Sequence, residues 1–500
     1  MLHNIYWILP EVFMAMTGII LLAYGGVLSK LGSQVSQLNK MNWLIIITLV
    51  LSSFLLIGQL GFEGNSNIII AGGFFVTNEF IIAIKLVLVL SSALVLILGL
   101  KAQVEDKMLD YEFSSLVLFS TLGMMMLVGS GDLIMLYLAI ELLSLSFYVL
   151  ASMKRHSQHS TEAGLKYFLL GALSSGLLLF GMALVYTFTG ETGFIAIGEF
   201  LWYSGSGVSA PIEILIGITF IIIALLFKLA AAPFHMWAPD VYEGSPTIVT
   251  AFFAIVPKIG TLGVLILLLT GPFVSLFNEL QPLILFSACL SMIVGSIGAL
   301  NQAKMKRLLA YSAISHIGFL LVGMLPNSVL GIHACFVYIC LYIVMSFNTF
   351  AFVLANFRHG NFITQLSGLS RQNPILAFTF AFTLLSIAGV PPLAGFYSKY
   401  LVLLQAINNE FFGVALIGIV CSCIAGFYYL RIIRWMFFKH DTTFHLKDIG
   451  DAIYPSNTNV SVSLEQSLIL GATLFIILTF LIYPIPFLTF SKTIILSSLI

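Results

Sequence analysis

Apolar stretches long enough to cross a bilayer recur fourteen times along the chain, separated by short polar connections. A spanning helix needs roughly 20 predominantly apolar residues. A window of that length finds runs near 4–28, 43–60, 78–100, 113–130, 133–152, 163–187, 212–229, 247–269, 283–300, 308–325, 328–356, 374–404, 411–430 and 466–488. The longest polar stretch, Lys439 to Glu465, reads as a loop or surface helix between the last two runs. The pattern predicts an all-α, polytopic membrane protein of about fourteen transmembrane helices.

The basic residues support that count. If the runs alternate in direction, fifteen of the 21 Lys and Arg residues, from Lys30 and Lys40 to Lys439 and Lys447, fall on one face, and only Lys492 falls on the other. Lys85, Lys166, Lys228, Lys258 and Lys399 lie inside runs or at their ends. Miscounting one helix in the middle would destroy this asymmetry. The positive-inside rule places the basic face in the cytoplasm or the mitochondrial matrix. An even number of crossings puts both termini on the opposite face.

Two runs are interrupted. The seventh breaks at Ala230-Ala231-Ala232-Pro233, directly after Lys228, and the twelfth at Gly389-Val390-Pro391-Pro392, shortly before Lys399. Proline removes a helix hydrogen bond and frees a carbonyl, which lipid tolerates only against protein or a wet cavity. The breaks are five runs apart, so the broken helices cross in opposite senses, as in transporters built from inverted repeats. Ordinary proline kinks are the alternative, and a lysine beside each break argues against it. The expected organisation is residues 1–112 as helices one to three, 113–270 as a first five-helix repeat and 271–435 as a second, inverted one. Residues 436–500 form the polar loop and the fourteenth helix.

Composition agrees with a lipid solvent. Apolar residues make up 60% of the 500 positions and charged residues 8%, against about a quarter charged in soluble domains. The formal net charge is zero, so no nucleic-acid partner is indicated. Glu11 interrupts the first run with no basic region before it, which does not read as a cleavable signal. The five cysteines lie in apolar runs without a CxxC pair, so neither disulfides, a metal centre nor an iron–sulfur cluster is expected.

Chemistry is then sought in the buried charges, because a lysine or aspartate at a helix centre costs about 2.5–3.5 kcal/mol on insertion scales. Lys258 lies about eleven residues into the eighth run, and Glu141 and His316 each about eight into theirs. Lys228 and Lys399 flank the breaks. A buried lysine is pulled toward proton exchange by desolvation and held charged by a nearby carboxylate. Glu141 is the one deeply placed carboxylate within the two repeats and the natural partner of Lys228. Static pairs that only fix helix packing are the alternative, and His316 reads equally well as a merely hydrogen-bonded histidine. Lys85 and Lys166 are shallower and are expected to snorkel to an interface. Glu11, outside the repeats, has no assigned role. His235, within the first break, either relays protons from a funnel lined by Asp240 and Glu243 or is satisfied by the freed carbonyls.

The segments Asp132–Ser144 (DLIMLYLAIELLS), Glu162–Ala172 (EAGLKYFLLGA), Pro233–Asp240 (PFHMWAPD), Tyr242–Thr247 (YEGSPT), Lys306–Ser312 (KRLLAYS) and Ala388–Phe396 (AGVPPLAGF) resemble the antiporter-like membrane subunits of respiratory complex I, the NADH–quinone oxidoreductase. The resemblance covers about residues 110–435 and extends more loosely to both ends. Lysine in both the eighth and twelfth runs, the stop after the fourteenth, and Arg371–Ala377 (RQNPILA) are most similar to the N-type branch, subunit 2 in mitochondria. The resemblance implies a proton-translocating subunit of an NADH:ubiquinone reductase. It implies Glu141 and Lys228 as a coupling pair, Lys258 as central carrier and Lys399 as the group facing the next proton site. NADH, FMN, iron–sulfur clusters and quinone are then expected in partner subunits, and no cofactor in this chain. Partners would be other membrane subunits, including a homologous antiporter-like one, and the lipid bilayer. A cation/proton antiporter subunit of the same fold and a structural, non-pumping subunit are the alternatives. The 43 Phe and abundant Ile suggest an organellar genome and hence the mitochondrial inner membrane, with a bacterial plasma membrane as the alternative.

Overall fold

The computed structural model describes residues 2–28, 34–60, 68–106, 108, 111–205, 212–356, 362–438 and 462–499. Most of the polar stretch after Lys439, and the basic residues Lys30, Lys107, Arg358, Lys439 and Lys447, lie outside the described residues.

The helices are α1 (Leu2–Leu28), α2 (Gln34–Gln59), α3 (Glu79–Glu105), α4 (Glu112–Val128), α5 (Leu133–Ala151), α6 (Gln158–Thr189), α7 (Phe194–Gly205), α8 (Ile212–Leu229), α9 (Trp237–Gly244) and α10 (Thr247–Thr270). They continue as α11 (Phe277–Ala299), α12 (Met305–Met324), α13 (Val329–Asn356), α14 (Leu369–Gln372), α15 (Pro374–Ala388), α16 (Ala394–Asn408), α17 (Phe412–Phe437), α18 (Leu464–Thr479) and α19 (Ile485–Leu499). Eleven of them are long and apolar enough to cross a membrane among the described residues. With α4, α15 continued by α16, and α18, the fourteen expected crossings are accounted for. A two-stranded antiparallel hairpin, β1 (Ile68–Ile70) and β2 (Phe75–Thr77), is the only sheet among the described residues.

Side-chain caps mark several helix starts. Asn78 accepts from the Ile81 amide at 2.8 Å at the start of α3. Asp132 accepts from the Ile134 amide and the Thr192 hydroxyl, both at 2.7 Å, and so fixes α5. Ser463 and Gln466 form a reciprocal capping box on α18. The fourteenth run ends earlier than the hydropathy pattern predicts. Pro484 supplies no amide and disfavours helix in the residue before it, so α18 stops at Thr479 and α19 forms separately, packing on α3 and α13.

Two groups of five packed elements repeat the same circuit. In the first, α4, α5, α6, α8 and α10 contact one another in chain order and α10 returns to α4. In the second, α11, α12, α13, the α15–α16 pair and α17 do the same, with α17 returning to α11. Each circuit contains one broken helix, α8–α9 or α15–α16. The circuits meet where α10 packs on α13 and α9 on α12, with α3 lodged against both. Consequently α10, α12 and α13 are nearly enclosed by protein, whereas α1, α6 and α17 turn wide apolar faces outward.

The ends assigned to the basic face do come together. Lys154 pairs with Asp106 at 2.7 Å, Arg307 with Glu243 at 3.1 Å, and Arg431 donates to the Leu300 and Gln302 carbonyls at 2.6 Å. A single cysteine at exposed Asn301, in an otherwise cysteine-free chain, should label from the cytoplasmic or matrix side. One at exposed Glu191 should label only from the other side. Labelling of both from the same side would refute the fourteen crossings.

Candidate functional site: a buried row of charges

The first break begins where α8 ends at Leu229, Ala230 adopting a left-handed φ of 61° before a cis Ala232–Pro233 bond. Its freed backbone groups find other partners. The Trp237 indole donates to the Phe227 carbonyl at 2.9 Å, and the Ala232 amide donates to Ser291 of α11 at 2.8 Å. Lys228, 7% exposed, is therefore not engaged by the break. Its ammonium has no hydrogen-bond partner among the described residues and stands 5.9 Å from the centre of the Tyr148 ring. Glu141 acts on it electrostatically, but no ion pair within 4.0 Å joins them. The carboxylate instead contacts the Ser144 hydroxyl at 3.4 Å, and Ser144 faces Tyr148. The expected pair is thus spaced by hydroxyl groups rather than in contact.

Deeper in, the members of the row lie closer together. Lys258, 3% exposed, donates to the Tyr342 hydroxyl at 2.8 Å, and that hydroxyl reaches the Ala254 carbonyl at 3.4 Å. A phenol both donates and accepts, so Tyr342 can serve the lysine in either charge state. The Tyr342 ring lies 5.4 Å from the His316 ring, and His316 Nδ1 is 2.6 Å from the Tyr338 hydroxyl. Tyr338 stacks on Phe319, whose ring lies 5.2 Å from the Lys399 ammonium. Lys399 donates to the Ala388 carbonyl at 2.8 Å, the last residue of α15. The second break starts there, with Gly389 at φ 89° and a cis Pro391–Pro392 bond. Gly395 approaches Ser386 too closely for any side chain, and its amide is satisfied by the Ser386 hydroxyl at 3.0 Å.

The peripheral candidates divide. His235 sits partly exposed in the first break with its Nδ1 unpartnered. Asp240 and Glu243, the expected funnel lining, are both ion-paired at the basic face. Asp240 pairs with Lys166 at 3.0 Å and Arg307 at 3.6 Å, and Glu243 pairs with Lys304 and Arg307. Lys166, also paired with Glu162 at 2.7 Å, stays close to solvent as expected. Lys85 does not snorkel. It is 2% exposed and paired at 2.6 Å with Glu11, equally buried. Hydropathy gives depth along a helix but not which face is covered, and α1 and α4 cover this one.

Sequence reasoning missed the phenols. Tyr338 and Tyr342 are four residues apart on α13 and hence on one face, a spacing that was legible once the charges on neighbouring runs suggested an axis.

Comparison with known proteins follows the same line. The family described as NADH:quinone oxidoreductase/Mrp antiporter, transmembrane, matches residues 130–425. The chain is 39% identical to NADH-quinone oxidoreductase subunit N of Paramagnetospirillum magneticum, covering 97% of this chain and 96% of that one. It is 41% identical to NADH-ubiquinone oxidoreductase chain 2 of Marchantia polymorpha, again over 97% and 96%. Among solved structures it superposes on a chain of respiratory complex I from Thermus thermophilus with a TM-score of 0.78 at 27% identity, covering 96% and 98%. A chain of the Mrp complex from a Dietzia species shares the fold, with a TM-score of 0.81 at 20% identity over 97% of each. With two broken helices around a buried lysine–phenol–histidine row, and relatives matched over nearly its whole length, this chain belongs to the NADH:quinone oxidoreductase/Mrp antiporter transmembrane family.

Proposed function

We propose that this protein is the N-type proton-translocating subunit of the membrane arm of NADH–quinone oxidoreductase, and that it passes protons along the row Glu141, Lys228, Lys258, His316 and Lys399 while electrons move through other subunits. The observation that carries the reading is the sequence Lys258–Tyr342–His316–Tyr338 between two broken helices, hydrogen-bonded at its two ends and joined in the middle by packing of the His316 ring against the Tyr342 ring. Protonation of one member changes the proton affinity of the next, so a conformational step at either break can drive the row. His235 joins it on the basic side. We assign the repeats to residues 113–270 and 271–435, and NADH, FMN, iron–sulfur clusters and quinone to partner subunits. The membrane is the mitochondrial inner membrane, or the plasma membrane in a bacterium.

A neighbouring subunit is the natural cover for α5. Glu141 is only half-buried on a stripe whose other members, Ile134, Leu138, Leu145 and Val149, are at least 50% exposed. A carboxylate facing hydrocarbon is costly, and a homologous antiporter-like subunit would both shield it and extend the row.

The test is a double-mutant cycle read as proton pumping by the complex in reconstituted vesicles. Glu141→Gln should impair pumping, by about 5–150-fold if the coupling is of the usual 1–3 kcal/mol, and Glu141→Asp should impair it less. Glu141→Gln with Lys228→Met should be no worse than the worse single change, because members of one unit fail together. Strictly multiplicative losses would mean that the two residues act independently.

A further inference from the structure

The first turn of α12 is built against its own dipole. Lys304, Lys306 and Arg307 stand at its N-terminal end, where a helix favours anions over cations. All three reach α9. Lys304 pairs with Glu243, Arg307 pairs with Glu243 at 3.1 Å and with Asp240 at 3.6 Å, and Lys306 donates to the Ser245 carbonyl at 2.9 Å. Ser245 caps the C-terminus of α9, where a cation is favoured. Lys304 and Arg307 keep part of their length in solvent, but Lys306, between them, is 4% exposed. It makes no ion pair among the described residues, and Asp106 and Glu243 act on it only through space. A lysine at a helix end could snorkel to water, so one that turns inward without a carboxylate has taken the costlier arrangement.

The grip falls on a braced corner. Ser245 is buried and its hydroxyl lies 3.0 Å from that of Thr250, which also reaches the Tyr242 carbonyl at 3.1 Å, so the end of α9 and the start of α10 are bound together. A side chain at Gly244 would collide with the His159 carbonyl, so α9 is pressed on α6 as well. From this corner α10 runs to Lys258, and from Lys306 α12 runs to His316. The two helices touch only lightly, and the step from Lys258 to His316 crosses between them by way of Tyr342 of α13. We propose that Lys306 is a positioning residue for that step. Its hydrogen bond to Ser245 is the one buried polar tie, among the described residues, between the α9–α10 corner and α12, and it fixes the helix of His316 against the helix of Lys258. The acceptor is a backbone carbonyl, which neither takes up nor releases a proton, so Lys306 is not itself a carrier.

This inference rests on the proposed proton-pumping function, and its test separates the two. Lys306→Met, Lys306→Arg and Lys304→Gln are placed in the complete complex beside Lys258→Met, and pumping is measured in H₂O and D₂O. Lys306→Met should assemble and pump about tenfold slower, inside the loss of about 10² that a misplaced reacting group can bring. Its solvent deuterium effect should rise, because transfer between Lys258 and His316 becomes limiting. Lys306→Arg should pump at nearly the wild-type rate, since a guanidinium donates to the same carbonyl. Lys304→Gln loosens only a partly exposed pair and should stay within about twofold of wild type. If Lys306→Met does not assemble, Lys306→Gln, a shorter donor, is read in its place and should show the same slow, deuterium-sensitive pumping. Stalling of Lys306→Arg would make the lysine a proton carrier and overturn the proposal. Ordinary pumping or an unchanged deuterium effect in Lys306→Met, or in its substitute, would reduce Lys306 to packing and overturn it too. So would an equal loss in Lys304→Gln, which would spread the grip over the exposed pairs. Each of these leaves the row intact while Lys258→Met stalls, whereas normal pumping by Lys258→Met would remove the underlying reading.

Discussion

Lys258→Met, introduced into the complete complex, should leave the membrane arm assembled and depress quinone reduction and proton pumping together, by up to about 10²-fold, the lower end of what a positioned proton-transfer group contributes. The lysine is enclosed and its one side-chain hydrogen bond is to Tyr342. Methionine retains much of the volume, and Tyr342 keeps the Ala254 carbonyl as a partner, so no buried hydroxyl is orphaned. Lys258→Arg should stall the complex as well, since a guanidinium fills the site with charge and does not give up its proton. A structural role makes the opposite forecast, with arginine tolerated and methionine not. Loss of the complex from native gels in Lys258→Met would end the assignment of Lys258 as a carrier.

Lys85→Met should do what Lys258→Met does not, and prevent assembly. It leaves the Glu11 carboxylate buried between α1 and α3, and removing one partner of a buried pair costs about 3–5 kcal/mol. Replacing both, as Glu11→Leu with Lys85→Met, should restore assembly and ordinary quinone reduction, because a buried ion pair is exchanged for apolar packing at little net cost. Native-gel yield and thermal stability of the purified complex read both outcomes. Normal yield of Lys85→Met would show that Glu11 finds another partner or takes up a proton without consequence for the fold.

The pattern of apolar runs and prolines carried most of the fold. Spacing of basic residues agreed with the number of crossings read from the apolar runs, and the two proline breaks located the broken helices, because these signals are written locally along the chain. The depth of Lys228, Lys258 and Lys399 was legible for the same reason. Lateral facts were not. Nothing in the run containing Lys85 distinguishes a lysine that reaches solvent from one covered by α1, and Glu11 is separated from it by 74 positions. Likewise the Glu141–Lys228 pair was inferred from charge alone, whereas Ser144 and Tyr148 stand at its two ends. The end of α18 was missed because Ile482, Ile485 and their neighbours are apolar whether or not they span, and only Pro484 and Pro486 mark the turn.

The two helix breaks are unequal in one respect that their symmetry conceals. In the first, an indole and a serine of the opposite circuit take over the freed backbone groups, and Lys228 is a passenger. In the second, Lys399 itself holds the terminal carbonyl of α15, where the helix dipole also favours a cation. Lys228 can change its charge while the backbone around it stays as it is. Lys399 cannot give up a proton without altering the donor that closes the end of a helix. One repeat therefore separates charge from scaffold and the other joins them, so a change of charge at Lys399 would weaken or strengthen the contact that closes the end of α15.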